Sequence, residues 1–370
     1  MKTLYLHIGT PKTATSSIQK FLAENWDVLQ KHGYFFPEST HIYPRVNARR
    51  NAHFLSGRVR NGEGIRDKEK EKTYLEEGLQ QVRDAFQNYD NVILTDESIW
   101  YCLCYLKKSL LCDLKKEADK QGYQIKVIVY LRRQDKFLLS RWNQRVKQKS
   151  TSDAVLSCDE YFELTQKKEK DIYQYGKILD GIAEVIGKEN LIVRRFDVES
   201  WRDGSIIHDF MHEIGIDVTP EFHELEKNAN LSLDKNTTEI KRILNQEESF
   251  TMKEISYMGK FLKKISENYI QKDHTEMLAK EELQQFLKKY ETENERIARE
   301  YIGDGQPLFS NEVKDLPKWN PQNEKMQEEI IQFFAAVTMD LRRTNEIQRQ
   351  KINQQEKRIR QLEKLSLIHI

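Results

Sequence analysis

Over roughly residues 1–215 the chain alternates short apolar runs with longer stretches of helical period. Apolar runs near 3–8, 91–95, 125–131 and 190–194 predict strands. The first (Leu4, Leu6, Ile8) stops at Gly9, and the third (Ile125 to Leu131) is rich in β-branched residues, as a strand buried on both faces requires. Helical spacing is read over 15–31 (Ile18, Phe21, Leu22, Trp26, Leu29), 70–88, 106–121, 134–149, 170–187 and 203–215, the last ending at Gly215. Strand and helix in alternation predict an α/β fold, a three-layer arrangement with a central parallel sheet covered on both faces. Functional groups of such a fold gather beyond the carboxyl ends of the strands. Lys12, Glu97 and Arg132 each follow a predicted strand and are expected in one crevice.

After about 234 the strand pattern stops. Charged helices with scattered aromatics follow, Pro307, Pro317 and Pro321 mark a break, and beyond 324 the chain is polar and helix-forming. The expected organisation is a core domain 1–310, made of a sheet region (1–233) and a helical lobe (234–310), then a linker 311–323 and a helical tail 324–370. Leu341, Ile352, Ile359 and Leu362 form an imperfect heptad stripe with Gln348 and Gln355 at core positions. A coiled-coil arm joining copies of the chain and a solvated single helix both fit that stripe. The last six residues, 365–370, break the pattern abruptly and are expected to be foreign to the native protein.

The turn after the first strand reads Gly9-Thr10-Pro11-Lys12-Thr13-Ala14-Thr15-Ser16-Ser17 and opens a helix. Loop amides, the positive end of the helix dipole, the Lys12 charge and a row of hydroxyls converge there, which is a cradle for a phosphate-type anion. It is no Walker A loop, which needs Gly directly before its Lys; here Pro11 takes that place. A capped helix after a buried strand is the plain structural alternative. The order Pro11-Lys12-Thr13-Ala14-Thr15-Ser16 resembles the phosphosulfate-binding loop of sulfotransferases that use 3′-phosphoadenosine 5′-phosphosulfate (PAPS), with Ala14 where that family usually has Gly. Ala is acceptable there at negative φ and costly at positive φ.

A second motif agrees. The strand 125–131 ends in Arg132-Arg133, and Ser140 lies eight positions after Arg132. In the family an Arg and a Ser at this spacing hold the nucleotide's 3′-phosphate, which a guanidinium fork and a hydroxyl suit chemically. Arg133 competes for the same role, and an Arg paired with a carboxylate is the structural alternative. The strand and helix over 190–215, Asn230-Leu231-Ser232-Leu233 and Asn294 to Tyr301 also look like stretches of bacterial sulfotransferase-like proteins. The resemblance thus covers roughly 1–310. It implies PAPS as donor, bound by Lys12, Thr13, Ala14, Thr15, Ser16, Ser17, Arg132 and Ser140, with Lys12 also neutralising charge on the leaving oxygen.

A base must take the acceptor's proton. His53 and Glu97 are the candidates, His53 slightly ahead, with His7 and His41 behind them. The 41–60 segment carries Arg45, Arg49, Arg50, Arg58 and Arg60, and over the cleft it would attract an anionic acceptor, so the expected acceptor is a hydroxyl on a saccharide or glycolipid. Lys plus Arg (60) nearly balances Asp plus Glu (59), which gives no argument for nucleic acid. No apolar run is long enough for a bilayer and no secretory segment is read, so a cytoplasmic protein is expected. Cys102, Cys104, Cys112 and Cys158 have no zinc-site spacing, and no metal is expected. Two rival readings stand beside this one. A small-molecule kinase would need an Mg²⁺ ligand, for which Asp96 is the nominal candidate. A non-catalytic scaffold would keep only the fold.

Overall fold

The protein is described from a computed structural model that covers residues 1–370 except 45, 106–107, 150, 226–232, 268–273 and 367–370; the side chains of 108, 170 and 364–366 are also left aside. The motif Asn230-Leu231-Ser232 thus lies outside the described residues. The chain divides into two units, the first made of 1–140, 162–229 and 280–314 and the second of 141–161, 230–279 and 315–370. The stretch read as one helical lobe, 234–310, is therefore shared between them.

The first unit is built on β1 (Thr3–His7), α1 (Thr15–Glu24), α2 (Trp26–Lys31), β2 (Tyr34–Phe35), α3 (His53–Ser56), α4 (Lys68–Asn88), β3 (Asn91–Thr95), α5 (Ser98–Cys104), α6 (Lys108–Gln121) and β4 (Gln124–Leu131). There follow α7 (Gln134–Gln148), α8 (Cys158–Lys168), α9 (Tyr175–Ile186), β5 (Leu191–Arg195) and α10 (Ile206–Glu213). The strands form one parallel sheet in the order β2-β3-β1-β4-β5. Alternation along β1 sends Leu4 and Leu6 to one face and Tyr5 to the other, all buried. On the Tyr5 face Ile18, Phe21 and Leu22 of α1, Val28 and Leu29 of α2 and Phe210 and Met211 of α10 close the core. Helices α4, α6 and α9 pack against β3, β4 and β5.

The helix read over 15–31 is broken at Asn25. Its side-chain amide donates to the Phe21 carbonyl (3.0 Å) and the His223 carbonyl (3.1 Å) and accepts from the His223 amide (2.6 Å). This buried side chain tethers the 222–223 segment and replaces the continuing helix. Trp26, counted in the apolar stripe, is 55% exposed.

In the second unit α11 (Lys235–Gln246) and α12 (Met252–Ser266) pack with the start of a 43-residue helix, Glu324–Ser366, through Ile240, Leu262, Ile265, Met326 and Phe333. Two helices, Lys280–Lys288 and Glu291–Ile297, belong to the first unit, so in chain order these are α13 and α14 and the long helix is α15. No helix among the described residues is long and apolar enough to cross a membrane.

Candidate active site

Parallel pairing sets His7 beside Thr95 and Ile128, so the chain leaves β1, β3 and β4 at one edge. The loop after β1 is stitched to β4 by its backbone: the Ile8 amide donates to the Ile128 carbonyl (3.1 Å), the Tyr130 amide to the Gly9 carbonyl (2.7 Å), and the Thr10 amide and hydroxyl to the Tyr130 carbonyl (2.9 and 3.0 Å). The buried Thr13 hydroxyl donates to the Thr10 carbonyl, so it braces the loop from inside. Gly9, Lys12 and Ala14 have φ of +104°, +71° and +56°. Two non-glycine residues in the left-handed region within one short turn store strain, which is found where a loop must present its backbone to something. Ala14 thus occupies the backbone state in which Gly would be cheaper. As N-cap of α1 it offers no side-chain cap, and Thr15 and the exposed Ser16 head the helix. Ser17 and Lys12 are half-buried.

Arg132 lies on this loop. Its Nη1 donates to the Lys12 carbonyl (2.9 Å), its guanidinium lies 5.4 Å from the centre of the Phe196 ring, and its own carbonyl accepts from the Tyr175 hydroxyl (2.7 Å). Burial pushes its pKa down, against the opposing pull of Tyr175 and Asp135. No carboxylate among the described residues pairs with it. Its neighbours differ. Arg133 forks onto Asp135 (2.8 Å at both oxygens) and gives Nη1 to the carbonyls of Ser310 (3.0 Å) and Glu312 (2.8 Å). Arg195 grips Asp304 (2.6 Å) and the carbonyls of Gln306 and Pro307 (2.9 Å each). Arg133 is thereby engaged with Asp135 and the 310–312 backbone, whereas Arg132 lies on the loop. Ser140 sits half-buried on α7 with no side-chain hydrogen bond to a described residue.

At the end of β3 the charges close on themselves. Asp96 is fully buried. Its Oδ1 accepts from Arg50 Nε (2.9 Å), Arg50 Nη2 and the Ser98 amide (2.8 Å), and its Oδ2 from His53 Nδ1 (2.7 Å) and the Ser56 hydroxyl (3.1 Å). Burial alone would raise this carboxyl, but the His53 bond, the Arg50 charge and the Ser98 amide outweigh it and hold the pKa below the ordinary value. Arg50 Nη1 is also 3.4 Å from Glu97, whose other oxygen accepts from Gln19 of α1 (3.3 Å). A β-carbon placed on Gly9 would stand 3.3 Å from that of Glu97, so Glu97 adjoins the loop directly. Asn51 fastens the preceding segment to β3, donating to the carbonyls of Pro37 (2.9 Å) and Ile93 (3.0 Å) and accepting from the Thr95 amide (2.8 Å).

Loop, Arg132 and Glu97 are thus brought together, and Asp96 and Arg50 join His53 to Glu97. His7 is fully buried, bonded through Nδ1 to the Thr95 hydroxyl (3.0 Å), and burial pushes its pKa down to about 3, so it stays neutral inside the sheet. His41 stacks on Tyr74 (3.7 Å) beside Glu77 (3.2 Å) of α4. Of the basic segment, Arg50 is turned inward, Arg60 donates to the Gly64 carbonyl (2.6 Å), Arg49 is 3.9 Å from Glu24, and Arg45 lies outside the described residues. The reading from sequence gave Arg50, Asn51 and Asp96 no role in this assembly. The available signal was the polar run Thr95-Asp96-Glu97-Ser98 after a predicted strand, with Arg50, Asn51 and His53 close together in the preceding segment. Among the described residues no group of three His, Cys, Asp or Glu is placed to hold a metal.

No family model matches the chain. An uncharacterized protein of Archaeoglobus fulgidus is 27% identical over 232 residues, 61% of this chain and 60% of that protein, so the chain spans under two-thirds of that relative's length. A solved sulfotransferase from Alicyclobacillus acidocaldarius matches over 62% of this chain and 88% of its own, at 16% identity and a TM-score of 0.37. A score that low carries no weight for fold or chemistry, which rest on the residues above.

Proposed function

We propose that the protein is a sulfotransferase that moves a sulfuryl group from PAPS to an acceptor hydroxyl, on a saccharide or glycolipid. One observation carries this reading: Arg132, a half-buried guanidinium with no carboxylate partner among the described residues, donates to the very loop that holds Lys12. A partly desolvated cation without a paired carboxylate is costly unless an anion completes it. A strained turn, an uncapped helix start and Lys12 lie beside it, so the anion is one with two charged ends, as a nucleotide phosphorylated at 3′ and 5′ has. Arg132 and Ser140 would take the 3′-phosphate. Lys12, the loop amides and the hydroxyls from Thr15 to Ser17 would take the 5′ end.

In the transfer the acceptor oxygen bonds to sulfur as the bond from sulfur to the bridging phosphate oxygen breaks, and 3′-phosphoadenosine 5′-phosphate departs. Lys12 offsets the charge growing on the bridging oxygen. His53, oriented through Nδ1 by the buried Asp96, is held as a general base is held in an acid–base–nucleophile triad. A second assignment, Glu97, is favoured by its contact with the loop. Glutamine at each position separates them, since the true base loses turnover by about 10²-fold or more with donor affinity kept. The kinase reading is disfavoured because both Asp96 oxygens are filled by protein donors.

Calorimetric titration tests the reading. Expected is binding of 3′-phosphoadenosine 5′-phosphate in preference to ATP with Mg²⁺, weakened at least about tenfold in Arg132→Ala, where a charge-assisted bond worth roughly 1.5–3 kcal/mol is lost. ATP preference, or no nucleotide binding at all, overturns it. Labelled donor with saccharides, lipids and phenols then identifies the acceptor by mass.

A further inference from the structure

The second unit ends in a feature that the proposed chemistry does not use. Helix α15 packs on α11 and α12 through Met326, Phe333 and Val337, and Asp340 accepts from the Tyr257 hydroxyl (2.6 Å). From Leu341 to Glu363 every residue is exposed. In proteins a helix draws most of its stability from packing of an apolar face rather than from propensity.

Six of the nine large apolar residues that α15 leaves exposed share one stripe, while Ile330, Met339 and Ile347 lie off it. Ile331, Phe334, Leu341, Ile352, Ile359 and Leu362 are 68, 58, 50, 53, 54 and 58% exposed. They alternate three and four apart with Thr338, Asn345, Gln348 and Gln355, one unbroken stripe of a and d positions. Ile331, Ile352 and Ile359 fall at a, and Leu341 and Leu362 at d, the β-branched-at-a, Leu-at-d distribution of two-stranded coils. Asn345 also falls at a, where one buried amide fixes register and strand number. In a parallel pair each g residue faces the partner's e residue five positions on. That sets Lys351 against Glu356 and Arg358 against Glu363; an antiparallel pair would set Lys351 and Arg358 against each other.

We propose that residues 331–363 form a parallel, in-register, two-stranded coiled coil with a second copy of this chain. The occupant follows from self-complementarity, since one sequence supplies both charges of each pair and both halves of the seam.

The test is mass measurement of the full chain by light scattering at about 10 μM. Expected is twice the chain mass for the wild type and a single chain mass for Ile352→Asp with Ile359→Asp, with urea unfolding of the remainder unchanged. Lys351→Glu is expected to weaken dimerisation at least tenfold, and Lys351→Glu with Glu356→Lys to restore it. Gln348→Cys is expected to give a disulfide-linked dimer under mild oxidation where the wild type gives none. A monomeric wild type, a dimer that survives the double Asp variant, or a dimer in which Gln348→Cys fails to cross-link overturns the proposal.

Discussion

Two corners of the same sheet edge handle charge in opposite ways. At the end of β3, Arg50, His53, Asp96 and Glu97 neutralise one another through side chains, and both Asp96 oxygens are filled. At the end of β4, half-buried Arg132 meets, among the described residues, the Lys12 carbonyl and the Phe196 ring, with its own backbone tied to Tyr175. In the first corner every charged side chain has a charged or hydrogen-bonded protein partner. In the second, no carboxylate among the described residues pairs with Arg132, and under the proposed function the donor nucleotide supplies the anion. Residue type does not explain the difference, because each corner is built around an arginine: Arg50 is met by carboxylates, Arg132 by a carbonyl and a ring.

Stability measurements attack this contrast most directly. Asp96→Asn removes the carboxylate that compensates Arg50, and the ligand-free protein is expected to lose roughly 3 kcal/mol of unfolding free energy in urea. Arg132→Ala in the same assay is expected to cost under about 1 kcal/mol, since it removes a desolvated charge with no carboxylate partner. Equal large losses in the two variants would erase the distinction between the corners.

The acid limb sharpens it next. The folded Asp96 carboxyl sits below its ordinary value, so the unfolded chain takes up the proton first. Its contribution is complete above the unfolded value, about 3.9, and is lost as pH falls through the lower folded value. Unfolding free energy plotted against pH should therefore fall more steeply in acid for the wild type than for Asp96→Asn, and parallel curves would refute the linkage.

The smallest effect is at the loop. Ala14→Gly relieves a left-handed residue worth about 1–2 kcal/mol and concedes some of that to the freer unfolded chain. A net gain of about 0.5 kcal/mol is expected, read as a rise of one or two degrees in Tm. A loss would mean that the Ala14 methyl makes packing contacts that outweigh the strain.

Much of the sheet was legible because each long strand is a continuous apolar run between turn residues. β2 was not, because two residues (Tyr34–Phe35) carry no period. The α1–α2 break was hidden because Asn25 acts through a partner, His223, that is 198 positions away. The same physics divides the site. Lys12 and Arg132 were readable from local order, since the backbone pairing of β1 and β4 alone brings them together. The Asp96 cluster was not, because it depends on Asn51 and Arg50 reaching across from a segment with little regular structure.

Arg133 and Arg195, one just past β4 and one closing β5, hold 304–312 chiefly by its carbonyl oxygens. A carbonyl is present whatever side chain a residue bears. The path of this returning strip is thereby fixed by two guanidiniums, while several of its own letters are left open to drift: substitutions at Gln306 or Glu312 should be silent, and a change in either arginine should unfasten the whole strip.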